Sequence, residues 1–409
     1  MPGRPSRQLA PLGVAGFRLL FLSTLASSFG TLLAAVALAI DVKDRTNSGL
    51  WVGGVLLVEF LPAIAVGLTL GPLLDRLERR RLMVAADLLR AGVFAALPFT
   101  TSPGEIVGLA LVAGLATGFF RPAVYAGVPN LVSEELLPRA NALLQTIENV
   151  SWAAGPVLGG VLTAAAGPDA AYWINAGSFL VSAFFVVRIP ARLLQSEIAL
   201  SRGHWTDLKD GFSTVLRSRT LLAVLVGWGL ALSGTGAIGV SEVFMAKNTL
   251  DAGDFGYGLI YGAIGVGLVI GSFWSSSLVE RLGIARTYGL ALVVMAAGFG
   301  VGAGSIDIWM AAGCCVVAGV GNGLAVVCNA LLVQRTRDDV RGRALTFVMS
   351  ATWAGMAVAI VVTGALMSPE DARWVWAIGA AFLAVAALVG YALAREPARA
   401  AARVGAHAN

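Results

Sequence analysis

The sequence predicts an all-α membrane protein of twelve transmembrane helices in two six-helix bundles, with both termini cytoplasmic. Three observations lead there. Apolar runs of about 18 residues or more, long enough at 1.5 Å per residue to cross roughly 30 Å of hydrocarbon, recur along the whole chain. The basic residues gather in every second gap between those runs. The second half repeats polar landmarks of the first at a nearly constant offset.

Composition sets the class. The chain has 409 residues, 57% hydrophobic and 13% charged, with 50 glycines and a mean hydropathy of +0.80. A soluble core does not need that much apolar sequence. The net charge of +5 is spread over the gaps rather than clustered, so a nucleic-acid partner is not expected. Cys314, Cys315 and Cys328 share one apolar run, and His204 and His407 lie far apart outside the spans. Neither a disulfide framework nor a metal site is indicated, and no Ser/His/Asp or Cys/His spacing suggests an enzyme.

The predicted spans run from 18 to 41, 50 to 74, 82 to 100, 104 to 128, 141 to 166, 169 to 188, 220 to 245, 256 to 279, 287 to 306, 308 to 332, 344 to 368 and 374 to 394. The first follows a basic N-terminal stretch but is too long for a signal-peptide core, and is expected to be retained. With the N-terminus inside, cytoplasmic segments hold 23 of the 29 Lys and Arg residues; Lys43, Arg45, Lys247 and Arg373 lie outside, and Arg90 and Arg121 within spans. The positive-inside rule therefore fixes the orientation. The longest gap, polar and cytoplasmic, divides the chain into an N-terminal bundle (1–188), a linker (189–219) and a C-terminal bundle (220–409).

The gap after the second span is short and dense, with six charges in the seven positions from Asp75 to Arg81. A shift of 205 residues lays Asp75 on Glu280 and Arg76 on Arg281, and a shift of 204 lays Arg139 on Arg343. Such an offset across separate loops indicates a six-helix unit repeated about an axis along the membrane normal.

Charges inside spans are few and therefore informative, since each is costly unless paired or hydrated. Glu59 lies in span 2, roughly 13 Å below the outer surface by helical rise, where it could titrate. Asp87 and Arg90 are three apart on span 3, near the inner surface. Arg121 in span 4 and Glu148 in span 5 fall at matching depths, about 10 and 11 Å from the inner surface, so a contact between them is expected. Glu242 is read as a solvated rim position. Spans 8 to 12 carry no interior charge. In span 5, Gly155 and Gly159 share a face that lets another helix approach closely, and Pro156 removes a backbone donor. Span 8 offers Gly258, Gly262, Gly267 and Gly271 as a facing surface.

The stretch "GPLLDRLERR" resembles the loop between spans 2 and 3 of the major facilitator superfamily, G-x-x-x-D-R-x-x-R-R, with Gly71, Asp75, Arg76, Arg79 and Arg80 in the matching places. The resemblance covers nearly the whole chain. "FRLLFLSTLASSFG" and "FFRPAVYAGVPNLVSEELLPRANAL" are similar to the branch holding the enterobactin exporter and macrolide efflux proteins, although Thr31 stands where that branch often has an acidic residue. The resemblance implies that Gly71, Asp75, Arg76, Arg79 and Arg80, with Asp87 and Arg90, form a cytoplasmic gate in which Asp75 caps the eleventh helix. Gly155, Pro156, Gly159 and Gly160 resemble the antiporter motif, with Ser151 in place of its leading glycine.

The function expected from these readings is proton-coupled export of a lipophilic or amphipathic small molecule such as a drug, a macrolide-like compound or a siderophore. Arg121, Glu148 and Glu59 are the coupling candidates. The alternatives are a proton-coupled uptake symporter and a non-transporting membrane sensor. No cofactor is expected, and the proton gradient is the expected energy source. The expected partners are the substrate and membrane lipid, and the chain is expected to work as a monomer spanning the cell inner (plasma) membrane.

Overall fold

The computed structural model describes residues 7–69, 78–194, 215–216, 218–334 and 338–395. The elements are helical throughout: α1 (Ala15–Thr46), α2 (Gly49–Thr69), α3 (Arg79–Ala96), α4 (Pro103–Leu131), α5 (Leu137–Ala166), α6 (Pro168–Val187), α7 (Arg219–Thr249), α8 (Gly253–Leu282), α9 (Ile284–Gly302), α10 (Ile308–Gln334), α11 (Asp338–Leu366) and α12 (Ala372–Ala394). Among the described residues, ten helices are long and apolar enough to cross a membrane. The other two are α2, whose counted apolar stretch is Gly49–Glu59, and α5. The reason for α5 is plain in its first half, which carries Arg139, Asn141, Gln145, Glu148 and Asn149.

Local chemistry sets several boundaries. Ser102 accepts from the Glu105 amide while the Glu105 carboxylate reaches back to the Ser102 amide, a reciprocal cap that starts α4. The first helix runs past its predicted end at residue 41 and stops only where Asn47 turns left-handed, with φ of 45°. Helix α7 includes two wider π turns, Ala223–Trp228 near its start and Met245–Thr249, and the second carries it past its predicted end as well.

Two compact units contain these helices. The first takes the described residues of Met1–His204, Glu242–Gly265 and Thr363–Glu370; the second takes those of Trp205–Ser241, Val266–Val362 and Asp371–Asn409. Within the first, α1 packs on α5 and α6, α2 on α4, and α3 on α4 and α6. Within the second, the first turns of α7 pack on α12, and α9 packs on α10 and α12. Two further pairings are read from small residues: a Cβ on Gly236 of α7 would lie 2.6 Å from Met356 of α11, and one on Gly271 of α8 would collide with Val320 of α10. Each pairing in the second set is the counterpart, six helices on, of one in the first. The repeat read from two loops is thus a repeat of packing.

Candidate functional site

Helix α3 places Asp87 and Arg90 on the same face, one turn apart, and the structure seals them. Asp87 is fully buried and Arg90 is 3% exposed. They form an ion pair. Ser182 of α6 donates to the other Asp87 oxygen at 2.7 Å, and the Ser23 hydroxyl of α1 lies 2.8 Å from that of Ser182. The guanidinium lies between the rings of Phe120 and Phe179, 4.4 and 4.3 Å from their centroids, a placement that compensates its lost hydration. Four helices meet at this knot. Of the other residues read as the gate, Gly71, Asp75 and Arg76 lie outside the described residues. Arg79 donates to the carbonyls of Ala126, at 3.1 Å, and Leu194, at 2.9 Å, tying the start of α3 to the end of α4 and to the segment after α6. Arg80 reaches the Ile189 carbonyl at 3.5 Å.

Arg121 and Glu148 meet. A guanidinium nitrogen donates to Glu148 Oε1 at 2.7 Å, and the Tyr125 hydroxyl, one turn along α4, donates to the same oxygen at 2.9 Å. Their depth within the spans does not seal them: the Arg121 side chain is 59% exposed and that of Glu148 20%. Charged groups within a spanning bundle stay uncovered where water reaches them, so this triad borders open space rather than packed side chains.

The motif in α5 makes backbone contacts on two sides. A Cβ on Gly155 would sit 2.9 Å from the Leu32 Cβ of α1, and one on Gly159 would collide with the Leu33 carbonyl. Gly160 faces α8, where its Cβ would lie 2.9 Å from the Gly258 Cα. Pro156 deprives the Trp152 carbonyl of its helical donor, and that carbonyl lies against Gly265 of α8. The glycine face read along α8 is therefore two faces: Gly258, Gly262 and Gly265 meet α5, whereas Gly267 and Gly271 meet Val316 and Val320 of α10. Their spacing changes register at Gly265, so one stripe could not serve both neighbours.

Sequence reasoning missed four features. Glu242 is not a solvated rim residue, for it is 4% exposed. Beyond it, Lys247 bridges Asp44 of α1, at 2.7 Å, and Asp254 of α8. Asp41, inside the extended α1, accepts from Arg45 at 2.7 Å and from the buried Tyr172 hydroxyl at 2.9 Å, while Arg45 also donates to the Thr100 carbonyl. Arg373 donates to the Ala303 carbonyl at 2.9 Å. Glu59, among the coupling candidates, forms no hydrogen bond or ion pair with the described residues.

Residues 6–407 match the transmembrane secretion effector family. The chain belongs to that family, within the major facilitator superfamily. It is 24% identical over 371 residues to the multidrug efflux pump Tap of Mycolicibacterium fortuitum, covering 85% of this chain and 88% of that one. It is 27% identical to the MFS-type transporter YkuC of Bacillus subtilis, over 62% of each chain. The crystal structure of a bacterial homologue of the iron transporter ferroportin, in an inward-facing state, superposes with a TM-score of 0.75 at 16% identity, covering 93% of this chain and 99% of that one. That likeness establishes the fold. The protein is a transporter, not an enzyme.

Proposed function

We propose that this protein exports a lipophilic or amphipathic small molecule across the plasma membrane by proton antiport, as a monomer with twelve spans and both termini in the cytoplasm. The similarity to a multidrug efflux pump over most of its length supports the direction. The observation that carries the coupling is the open triad of Arg121, Tyr125 and Glu148, which joins α4 to α5. A carboxylate held by a guanidinium and a phenol stays in place as an anion. Once substrate or helix movement draws those donors away, it is free to take a proton, and restoring the contacts expels it. Glu148 is the proton carrier in this scheme and Arg121 its displaceable partner, with Glu59 as a second carboxylate reachable from the outer side. Asp75, Arg76, Arg79 and Arg80 hold the inner side closed in the opposite phase, and the sealed Asp87–Arg90 pair keeps α3 rigid under them.

The test is substrate-driven proton movement in proteoliposomes, screened over macrolides, cationic dyes and catecholate siderophores. Export by antiport predicts that an inward substrate gradient drives protons out of the lumen. Protons and substrate moving in the same direction would establish symport, and substrate movement without protons would remove Glu148 from the mechanism.

A further inference from the structure

Where α3 begins and α6 ends, residues 78–81 and 188–194 carry five arginines, Arg79, Arg80, Arg81, Arg188 and Arg192, against one carboxylate, Glu78. Hydrogen bonds bring the two segments together, since Arg80 reaches the Ile189 carbonyl at 3.5 Å and Arg79 that of Leu194 at 2.9 Å. The start of α3 and the end of α6 therefore lie at one level. Glu78 is taken up by Arg81, at 2.6 Å, and lies 3.6 Å from Arg80. Arg188 and Arg192 are left with no carboxylate among the described residues, and both are exposed. Arg188 does not extend freely into water. Its guanidinium folds back over the ring of Phe184, one turn earlier on α6, 3.7 Å from the centroid. Arg192 sits in the short turn Ala191–Leu193, which the Leu193 and Leu194 amides close onto the Pro190 and Ala191 carbonyls.

The face of α6 that carries Arg188 is apolar and uncovered along the preceding turns. Leu180, Val181, Phe184 and Val187 recur there at helical spacing and are 53%, 46%, 51% and 53% exposed. In a chain that spans a membrane such a stripe lies against acyl chains, and the arginine at its end marks where the headgroups begin. A guanidinium stacked on a ring at that boundary is held at headgroup height, with its edge donors turned outward. A soluble phosphate would use the arginines and ignore the stripe, whereas a phospholipid uses both. A zwitterionic headgroup would bring its own cation against this uncompensated positive charge. We infer that Arg188 and Arg192, with Arg80 beside them, form a binding site for the headgroup of an anionic phospholipid whose acyl chains lie along the 180–187 stripe. The site requires only that the chain spans a membrane, and it stands apart from the export reading above.

The experiment titrates phosphatidylglycerol into the delipidated full chain in detergent and follows retained lipid by native mass spectrometry. Zwitterionic phosphatidylcholine with the same acyl chains runs in parallel, and glycerol phosphate serves as a soluble competitor. Phosphatidylglycerol should bind about tenfold or more tightly than phosphatidylcholine, and glycerol phosphate should not displace it. Arg188→Gln with Arg192→Gln should weaken phosphatidylglycerol binding about tenfold or more. Phe184→Leu, which keeps every charge and an apolar stripe, should weaken it about threefold by releasing the guanidinium from its ring. That variant keeps the test open if the double arginine variant fails to elute as a single species. Arg281→Gln, at the end of α8, should change nothing. Equal retention of the two lipids, wild-type affinity in either variant, or the same loss in Arg281→Gln would overturn the site. Displacement by glycerol phosphate would do so too, leaving a site for a soluble anion. So would a delipidated chain that runs as a dimer and takes up no phosphatidylglycerol, which would give this face to a second copy.

Discussion

Two acid–base pairs stand on helices of the same compact unit, and their surroundings could hardly differ more. Asp87 and Arg90 share one helix and are shut between two phenylalanine rings and a serine pair. Arg121 and Glu148 come from two helices and lie open. A pair confined to one helix cannot be separated by moving helices, whereas a pair that joins two can. Burial then decides cost. Losing either partner of the sealed pair strands a charge in a dry interior, while losing one of the open pair leaves the other to water. The same chemistry is sealed in one place and open in the other.

The harshest way to break this comparison is Arg90→Ala. It should cost about 3–5 kcal/mol and lower the yield of folded protein, read by size exclusion and thermal unfolding in detergent. Replacing Asp87 and Arg90 together with Leu should recover much of that loss, because no charge is stranded. If Arg90→Ala unfolds like wild type, the knot is not the sealed element its packing describes. Next comes Glu148→Gln, which should leave Tm nearly unchanged yet reduce proton-driven export about 100-fold or more, the scale of a lost proton-transfer group, while substrate exchange at equal pH persists. A large fall in Tm with normal coupling would make the open pair structural after all.

Lys247→Gln probes a pair of intermediate exposure. With Asp44 and Asp254 partly in water, it should cost about 1 kcal/mol, and the loss should shrink in high salt, as measured by unfolding at two ionic strengths. The mildest change is Tyr125→Phe. Glu148 keeps Arg121 and loses one donor, so transport should fall by only a fewfold, about the worth of one exposed hydrogen bond, with no change in direction or stoichiometry in proteoliposomes.

Much of the open site could be read from the chain because helical rise converts residue counts into depth. Arg121 and Glu148 lie on sequential spans at similar counts from the inner surface, and they touch. The same arithmetic misplaced Glu242. Counting depth from a predicted helix end fails when the end is wrong, and α7 continues to Thr249 through a π turn that periodicity does not signal. Asp41 was mistaken for the last residue of a span for the same reason, since α1 runs on to Thr46 with Arg45 and Asp41 satisfying each other one turn apart. The basic residues that the sequence places outside carried no expected partner. Arg45, Lys247 and Arg373 turn out to have definite partners, carboxylates for the first two and a backbone carbonyl for the third; Asp44 and Ala303 among them lie far from their partners in sequence, whereas Asp41 is one turn from Arg45 in a stretch read as loop. The glycines of α8 were legible as small residues but not as two separate faces, because spacing alone does not say which neighbour each one meets.

The join between Gly160 of α5 and Gly258 of α8 is backbone laid against backbone. A side chain can be traded for another of similar size during divergence, but a surface without side chains has nothing to trade. Helix spacing at this join is therefore insulated from changes in the lining around it. Side chains nearby can change while the distance between the two helices stays put. A lineage that keeps these two glycines can explore new substrates without having to rebuild the moving parts each time.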